Sequence, residues 1–237
     1  FTPSAKQGES ITLTASIDAN TAIVQTYSLK PGSYMVGYDV KFDGMNNIIN
    51  SQSLQVDWSA RIPKQEKALT QEMQTTTIWY KQPDQAADNL SESKEVTEDF
   101  PYSLKWIAFK QAFFNSTIIA DQSFTNSRVA VKDINLGNYV KELSTTSYLP
   151  FNTSQAKNNY ALKFYFGPND YYVLKSADLG MEKMVKVGWG IFGWVNMFVT
   201  IPIFEFLSKY ITNFGIIILL LTLIIKLALF PMVYGSY

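Results

Sequence analysis

The sequence predicts a mainly β protein: an antiparallel β-sandwich, followed by short helices, an amphipathic interfacial helix and one transmembrane helix. Apolar and polar residues alternate in many short segments up to about residue 166, with no regularly interleaved helix, which favours an antiparallel sandwich over a parallel α/β sheet. Aromatics make up 15% of the chain, with 16 Phe and 14 Tyr, as strands favour. Near the C-terminus, residues 213–234 read NFGIIILLLTLIIKLALFPMVY, too uniformly apolar for an ordinary amphipathic helix.

Within the first domain, residues 1–166, Ile11, Leu13, Ala15 and Ile17 form one alternating set, and Tyr34, Val36, Tyr38, Val40 and Phe42 another. Each set places apolar side chains on one face of a strand, and Pro31-Gly32 punctuates them as a turn. Leu54, Val56 and Trp58 continue the pattern until Pro63 stops it. Lys64 to Thr77 is polar with little periodicity, and Ile78-Trp79-Tyr80 marks another strand. Residues 81–99, rich in Asp, Glu, Asn and Ser, are expected to form a solvated loop or edge without chemistry. Strand signals resume at Leu104, Trp106 and Ala108, then Phe113-Phe114, Ile118-Ile119, Val129-Ala130-Val131, and Tyr160, Leu162, Phe164 and Phe166. No fixed-period repeat appears, which removes propellers and solenoids.

A connector follows over residues 167–199. Gly167-Pro168-Asn169 breaks the last strand, and Asn169 or Asp170 is placed to cap a short helix through Ser176. Gly180, Gly188, Gly190 and Gly193 interrupt a stretch carrying Trp189, Phe192 and Trp194, aromatics of the kind that sit at headgroup level. Residues 200–212, TIPIFEFLSKYIT, predict the amphipathic helix: Thr200 as N-cap, Pro202 in the first turn, and Glu205, Ser208, Lys209 and Thr212 as one polar stripe. Such a helix suits a membrane interface, and packing against the β domain is the competing arrangement.

Residues 213–234 span roughly 33 Å as a helix, close to the hydrocarbon thickness of a bilayer. Lys226 lies just past the midpoint, where a lysine costs roughly 2.5 to 3.5 kcal/mol on insertion scales. Either its stem snorkels to the headgroups or its ammonium faces a wet recess inside the membrane. The apolar LALFPMVY that follows favours the recess, because snorkelling would drag about two turns of hydrophobic surface out of lipid.

The composition also narrows the chemistry. Formal net charge is zero, so nothing points to nucleic acid or an anionic surface as partner. With neither His nor Cys, most zinc, haem and thiol sites have no ligands and nucleophilic triads have no imidazole base. There is no phosphate-binding loop and no dinucleotide fingerprint. Carboxylate pairs such as Glu98-Asp99 fall in the polar stretch without an apolar pocket to raise a pKa. No catalytic residue, metal or cofactor is therefore expected, and an enzyme would need further chain to complete its site. Three sequons, at Asn89, Asn115 and Asn152, match a pattern that arises often by chance. Phe1 is no initiator and no charged-then-apolar leader precedes it, so the chain reads as a fragment.

Three segments in order, GPNDYYVLK (Gly167 to Lys175), GWGIFGWVNMF (Gly188 to Phe198) and IPIFEFLSKYITNFGIIILLLTLIIKLALFPMVY (Ile201 to Tyr234), closely resemble the bacterial YidC membrane-protein insertase family. WIAFKQAFF (Trp106 to Phe114) is similar to an aromatic strand of that family's periplasmic domain. The resemblance implies a large periplasmic super-sandwich, an amphipathic interfacial helix leading into the second membrane helix, and further spans beyond. It implies a protein of the bacterial inner membrane, multi-pass when complete, with residues 1–200 largely periplasmic. Lys226 takes the place of a cation, typically arginine, that stands before a proline in this helix; here Pro231 follows five residues later. The implied activity is insertion and folding of membrane proteins through a hydrophilic groove, with nascent membrane proteins, Sec translocon components and the lipid bilayer as partners. Lysine keeps a charge-based role but lacks arginine's bidentate fork. The alternative is an extracytoplasmic binding module, for instance for carbohydrate, anchored by a single helix.

Overall fold

The computed structural model describes residues 2–7, 10–134, 137–188 and 190–234. They form two compact units, Phe1–Met184 and Val185–Tyr237. The first holds twelve strands: β1 (Thr2–Gln7), β2 (Ser10–Ser16), β3 (Ala22–Leu29), β4 (Met35–Asp43), β5 (Ser53–Pro63), β6 (Thr77–Lys81), β7 (Asp88–Asn89), β8 (Val96–Phe100), β9 (Leu104–Lys110), β10 (Phe114–Asp133), β11 (Tyr139–Pro150) and β12 (Lys157–Pro168). Their pairings are antiparallel, as the alternation of side chains predicts.

β10 organises the sandwich by belonging to both sheets. Its first part, Phe114 to Ala120, pairs with β12 and β9 in a sheet ordered β1-β2-β3-β4-β12-β10-β9-β6-β7. Its second part, from Thr125, pairs with β11 and β8, and β5 lies on the far side of β11. At the bend Ser123 and Asn126 adopt left-handed conformations with φ of 62° and 47°, and the register shifts between Ile119 and Phe124 and between Thr125 and Arg128. Such breaks let a strand bend out of one sheet into another. The sequence shows Phe113-Phe114, Ile118-Ile119 and Val129 to Val131 as separate strand signals; the structure joins the last two in one bent strand with Phe114 at its start.

The core lies between the sheets. Phe109, Phe124, Ile107, Leu104, Ile118, Val129 and Leu143 are all buried there. Trp58 of β5 stacks on Phe109 of β9 with ring centroids 4.2 Å apart, linking the two layers. β9, the aromatic segment WIAFK, is buried on both faces; the indole of Trp106 donates to the Leu179 carbonyl at 2.9 Å. That bond, with buried Leu174, Met181 and Met184, packs the residues after β12 onto the sandwich. The short helix α2 (Tyr171–Ser176) is capped by Asp170, whose Oδ1 accepts from the N–H groups of Tyr172 and Val173. Asn169, the other candidate cap, instead donates to carbonyls of Gln111, Ala112 and Phe114.

Two stretches depart from expectation. The polar run Lys64 to Thr77 contains a helix, α1 (Leu69–Thr75), held by tertiary contacts rather than by periodicity. Buried Glu72 accepts from the N–H groups of Gln65 and Glu66, while the ammoniums of Lys110 and Lys141 donate to the carbonyls of Thr75 and Thr76 at the helix's C-terminal end. The acidic run 81–99 holds β7 and the start of β8, with Leu90 buried, so only part of it is solvated loop.

In the second unit α3 (Gly190–Val195), a π turn (Asn196–Thr200) and α4 (Ile201–Ser208) make one continuous helix, and α5 (Phe214–Tyr234) follows after a short turn. Thr200 therefore caps nothing: it is helical, with φ −66° and ψ −51° and no side-chain cap bond. The helix begins ten residues earlier than Thr200 because Ile191 to Val199 continue its apolar character. Pro202 sits inside it, just past the π turn, where a widened turn accommodates the missing N–H and the ring. Gly193 lies within α3 instead of interrupting it. A Cβ there would stand 2.5 Å from the Gly188 carbonyl oxygen, so the preceding turn can close onto the helix only with glycine. Trp189 falls outside the described residues.

Candidate functional site in the apolar helices

Gly190–Ser208 is 19 residues long with a mean hydropathy of 1.5, enough by length and composition to cross a bilayer. Phe192, Trp194, Phe198 and Phe206 are exposed along it, and Trp194 packs on Phe198 with centroids 5.4 Å apart. Its charge lies towards the C-terminal end: Glu205 is exposed, Ser208 donates to the Glu205 carbonyl, and Lys209 is the C-cap. Thr212 lies beyond the helix, so the polar stripe ends at Lys209 and does not reach it. The chain turns there because the N–H groups of Tyr210 and Ile211 both bond back to the Leu207 carbonyl. Phe204 of α4 then stacks on Phe214, the first residue of α5, at 6.1 Å.

α5 opens on Asn213, whose side-chain oxygen accepts from the N–H of Gly215 at 2.9 Å. Its 21 residues correspond to about 30 Å, and Pro231 lies inside the last turns. Lys226 stands twelve residues after Phe214 and eight before Tyr234, so about 12 Å of apolar helix separates it from the nearer end. The helix contains no acidic residue that could pair with it. Four residues before Lys226, on the same face, lies Thr222, whose hydroxyl donates to the Ile218 carbonyl at 2.8 Å. Gly215 is a further seven residues back. Thr222 and Lys226 thus give α5 a narrow polar line on an otherwise apolar cylinder. Thr222 escapes notice in the sequence because a single threonine in a helix is ordinary; its four-residue spacing from the lysine is the signal that finds it.

Among the described residues no cluster of acidic side chains could hold a metal ion. What the arrangement offers is one cation on an otherwise apolar helix.

A β-sandwich domain followed by helices apolar enough for a bilayer defines the class of protein. The family described as YidC periplasmic domain matches residues 2–206, and the chain belongs to that family. Curated relatives agree. The chain is 41% identical to a protein of Parabacteroides distasonis named membrane protein insertase YidC, over 90% of this chain and 35% of the relative. Relatives of the same name from Bacteroides fragilis and Porphyromonas gingivalis are 34% and 32% identical, covering 98% and 100% of this chain and 39% and 40% of their own lengths. The chain thus spans somewhat over a third of the relatives it matches.

Proposed function

We propose that this chain is the β domain and first following helices of a bacterial inner-membrane insertase, with residues 1–200 largely periplasmic and α5 one of several spans. The observation that carries the proposal is a lysine deep in an apolar helix of a chain whose relatives are named insertases. Lys226, with Thr222 one turn before it, faces an aqueous groove enclosed by α5 and spans beyond this chain. A nascent membrane protein with an acidic or polar flank is drawn in by the ammonium, whose attraction is strong between low-dielectric walls. Its apolar segment then passes sideways into lipid as its surface leaves water. The protein lowers the cost of carrying polar groups through hydrocarbon and makes or breaks no bond. The helix Gly190–Ser208 lies at the periplasmic interface, with Pro202, Glu205 and Lys209 near its polar end. Components of the Sec translocon are partners for the substrates that need both.

An insertion assay in cells depleted of the native protein tests this reading. In the full-length protein Lys226→Glu should lower insertion of substrates with acidic translocated tails about tenfold, an attraction of roughly 1.4 kcal/mol lost. Lys226→Arg should retain activity. Equal activity of the Glu and Lys proteins would reject the role of the charge.

A further inference from the structure

One end of the first sheet carries aromatic side chains that the core does not cover. It is built from the turn between β3 and β4, the turn between β9 and β10, and the last residues of β12. Strand register brings these together: Leu29 pairs with Val36, Tyr165 with Met35, and Pro168 with Phe114. Backbone bonds tie them further, the Phe166 N–H donating to the Tyr34 carbonyl at 3.0 Å and the Asn169 N–H to the Phe113 carbonyl at 2.7 Å. Phe114 and Phe166 are diagonal neighbours on one face, since Phe166 stands opposite Ser116. Phe113, Phe114 and Phe166 each leave half or more of their surface exposed, and Leu29 and Tyr34 nearly half.

Composition sets this end apart. Residues 29–36, 111–116 and 164–169 contain a single charged side chain, Lys30. Of the charges that flank them, Lys110 is buried with its ammonium on the Thr75 carbonyl, and Asp170 is taken up in capping α2. The opposite end of the same strands is formed by residues 16–21, 43–47 and 151–159, where Asn, Asp, Ser, Thr and Gln predominate. Its exposed apolar residues, Ile17 and Ile48, stand singly among polar neighbours, as on any soluble surface. Grouped phenylalanines at one end and amides at the other give the sandwich an apolar pole and a wet one.

Connectivity says what covers the apolar pole. β12, whose last residues form part of it, leads through α2 towards the apolar helices, and only residues 185–189 separate the first unit from the helix Gly190–Ser208. Fully extended, that link reaches about 20 Å, so the sandwich is held close to whatever layer the helix enters. Exposed aromatic rings with a lysine beside them and no free carboxylate suit a lipid surface, where rings settle at headgroup level and an ammonium reaches the phosphates.

We infer that this end of the sandwich rests on the bilayer, with Phe113, Phe114 and Phe166 set into the headgroup layer and Lys30 among the phosphates. The inference rests on the membrane reading of the apolar helices and is independent of the role of Lys226.

The test uses the full-length protein, cleared of any other cysteine, in nanodiscs of phosphatidylethanolamine and phosphatidylglycerol in which part of the lipid carries a nitroxide on its headgroup. A bimane label on Phe113→Cys or Phe166→Cys should lose most of its fluorescence to the nitroxide, whereas one on Ser154→Cys, at the wet pole, keeps it. A label on Leu223→Cys in α5, with the nitroxide moved to the acyl chain, reports the membrane reading separately. Quenching at 223 with labels at 113 and 166 no more quenched than that at 154 overturns this inference alone. Blue-shifted but unquenched labels at 113 and 166 overturn it too, because another part of the protein or a second copy then covers the patch. An unquenched label at 223 removes the membrane reading and this inference with it.

Discussion

Lys141 and Lys226 meet apolar surroundings in different ways. Lys141 has a side chain only 2% exposed, with its ammonium donating to the carbonyls of Thr76 and Glu92 at 2.9 and 3.1 Å and Asp133 3.9 Å away. Burial pushes its pKa down, while the charges of Asp133 and Glu92 pull the other way. Lys141→Met leaves two carbonyls unmet beside α1 and should cost about 2 to 4 kcal/mol in urea titration. Tyr165 gives the pH dependence a sign. Burial, then the neighbouring charges of Tyr34 and Asp170, raise its pKa to about 12, and its hydroxyl donates to the Pro168 carbonyl at 2.8 Å. The folded state thus holds this proton after the unfolded chain has lost it. Stability is full below about pH 10 and falls as pH rises towards 12, so Tyr165→Phe should flatten the alkaline limb of a stability-versus-pH curve. For Lys226 the chain supplies no counter-charge within its own helix, which is why we propose water and substrate as its partners.

At the scale of elements, strands such as β4, β5 and β9 were legible because apolar residues recur at every second position, whereas β11 was not, because its buried face carries Lys141, Thr145 and Ser147. The alternation in β4 and β5 states the period directly, and Pro63 ends β5 as expected. α1 was not legible, because Glu72, Lys110 and Lys141 hold it from distant parts of the chain. The bend in β10 was hidden likewise, since Ser123 and Asn126 look like ordinary polar residues until both sheets claim their neighbours. Of the site, Lys226 and the limits of α5 were visible, whereas the start of the preceding helix was misplaced at Thr200 by a residue pair, Thr and Pro, that usually opens helices. Gly193→Val places a branched side chain where even a Cβ meets the Gly188 carbonyl, and should cost about 1 to 3 kcal/mol, read as lost helicity and a lower melting temperature in nanodiscs.

The molecule as a whole joins a sandwich whose core is complete to helices whose apolar surface is not. Phe109, Phe124 and Trp106 are sealed between or beside the sheets, while Phe198, Phe206, Leu219, Leu223 and Phe230 stand exposed. Exposed apolar surface on that scale calls for lipid or further helices. We propose that one residue of this surface, Lys226, meets water inside the membrane. The chain contains no cysteine, so one introduced at a chosen position reports alone within it. In cells carrying the full-length protein, cleared of any other cysteine, Lys226→Cys and Thr222→Cys should react rapidly with a small water-soluble thiol reagent, while Ile224→Cys, on another face of α5, stays protected. Protection of all three, with reaction confined to positions at the helix ends, would contradict the account.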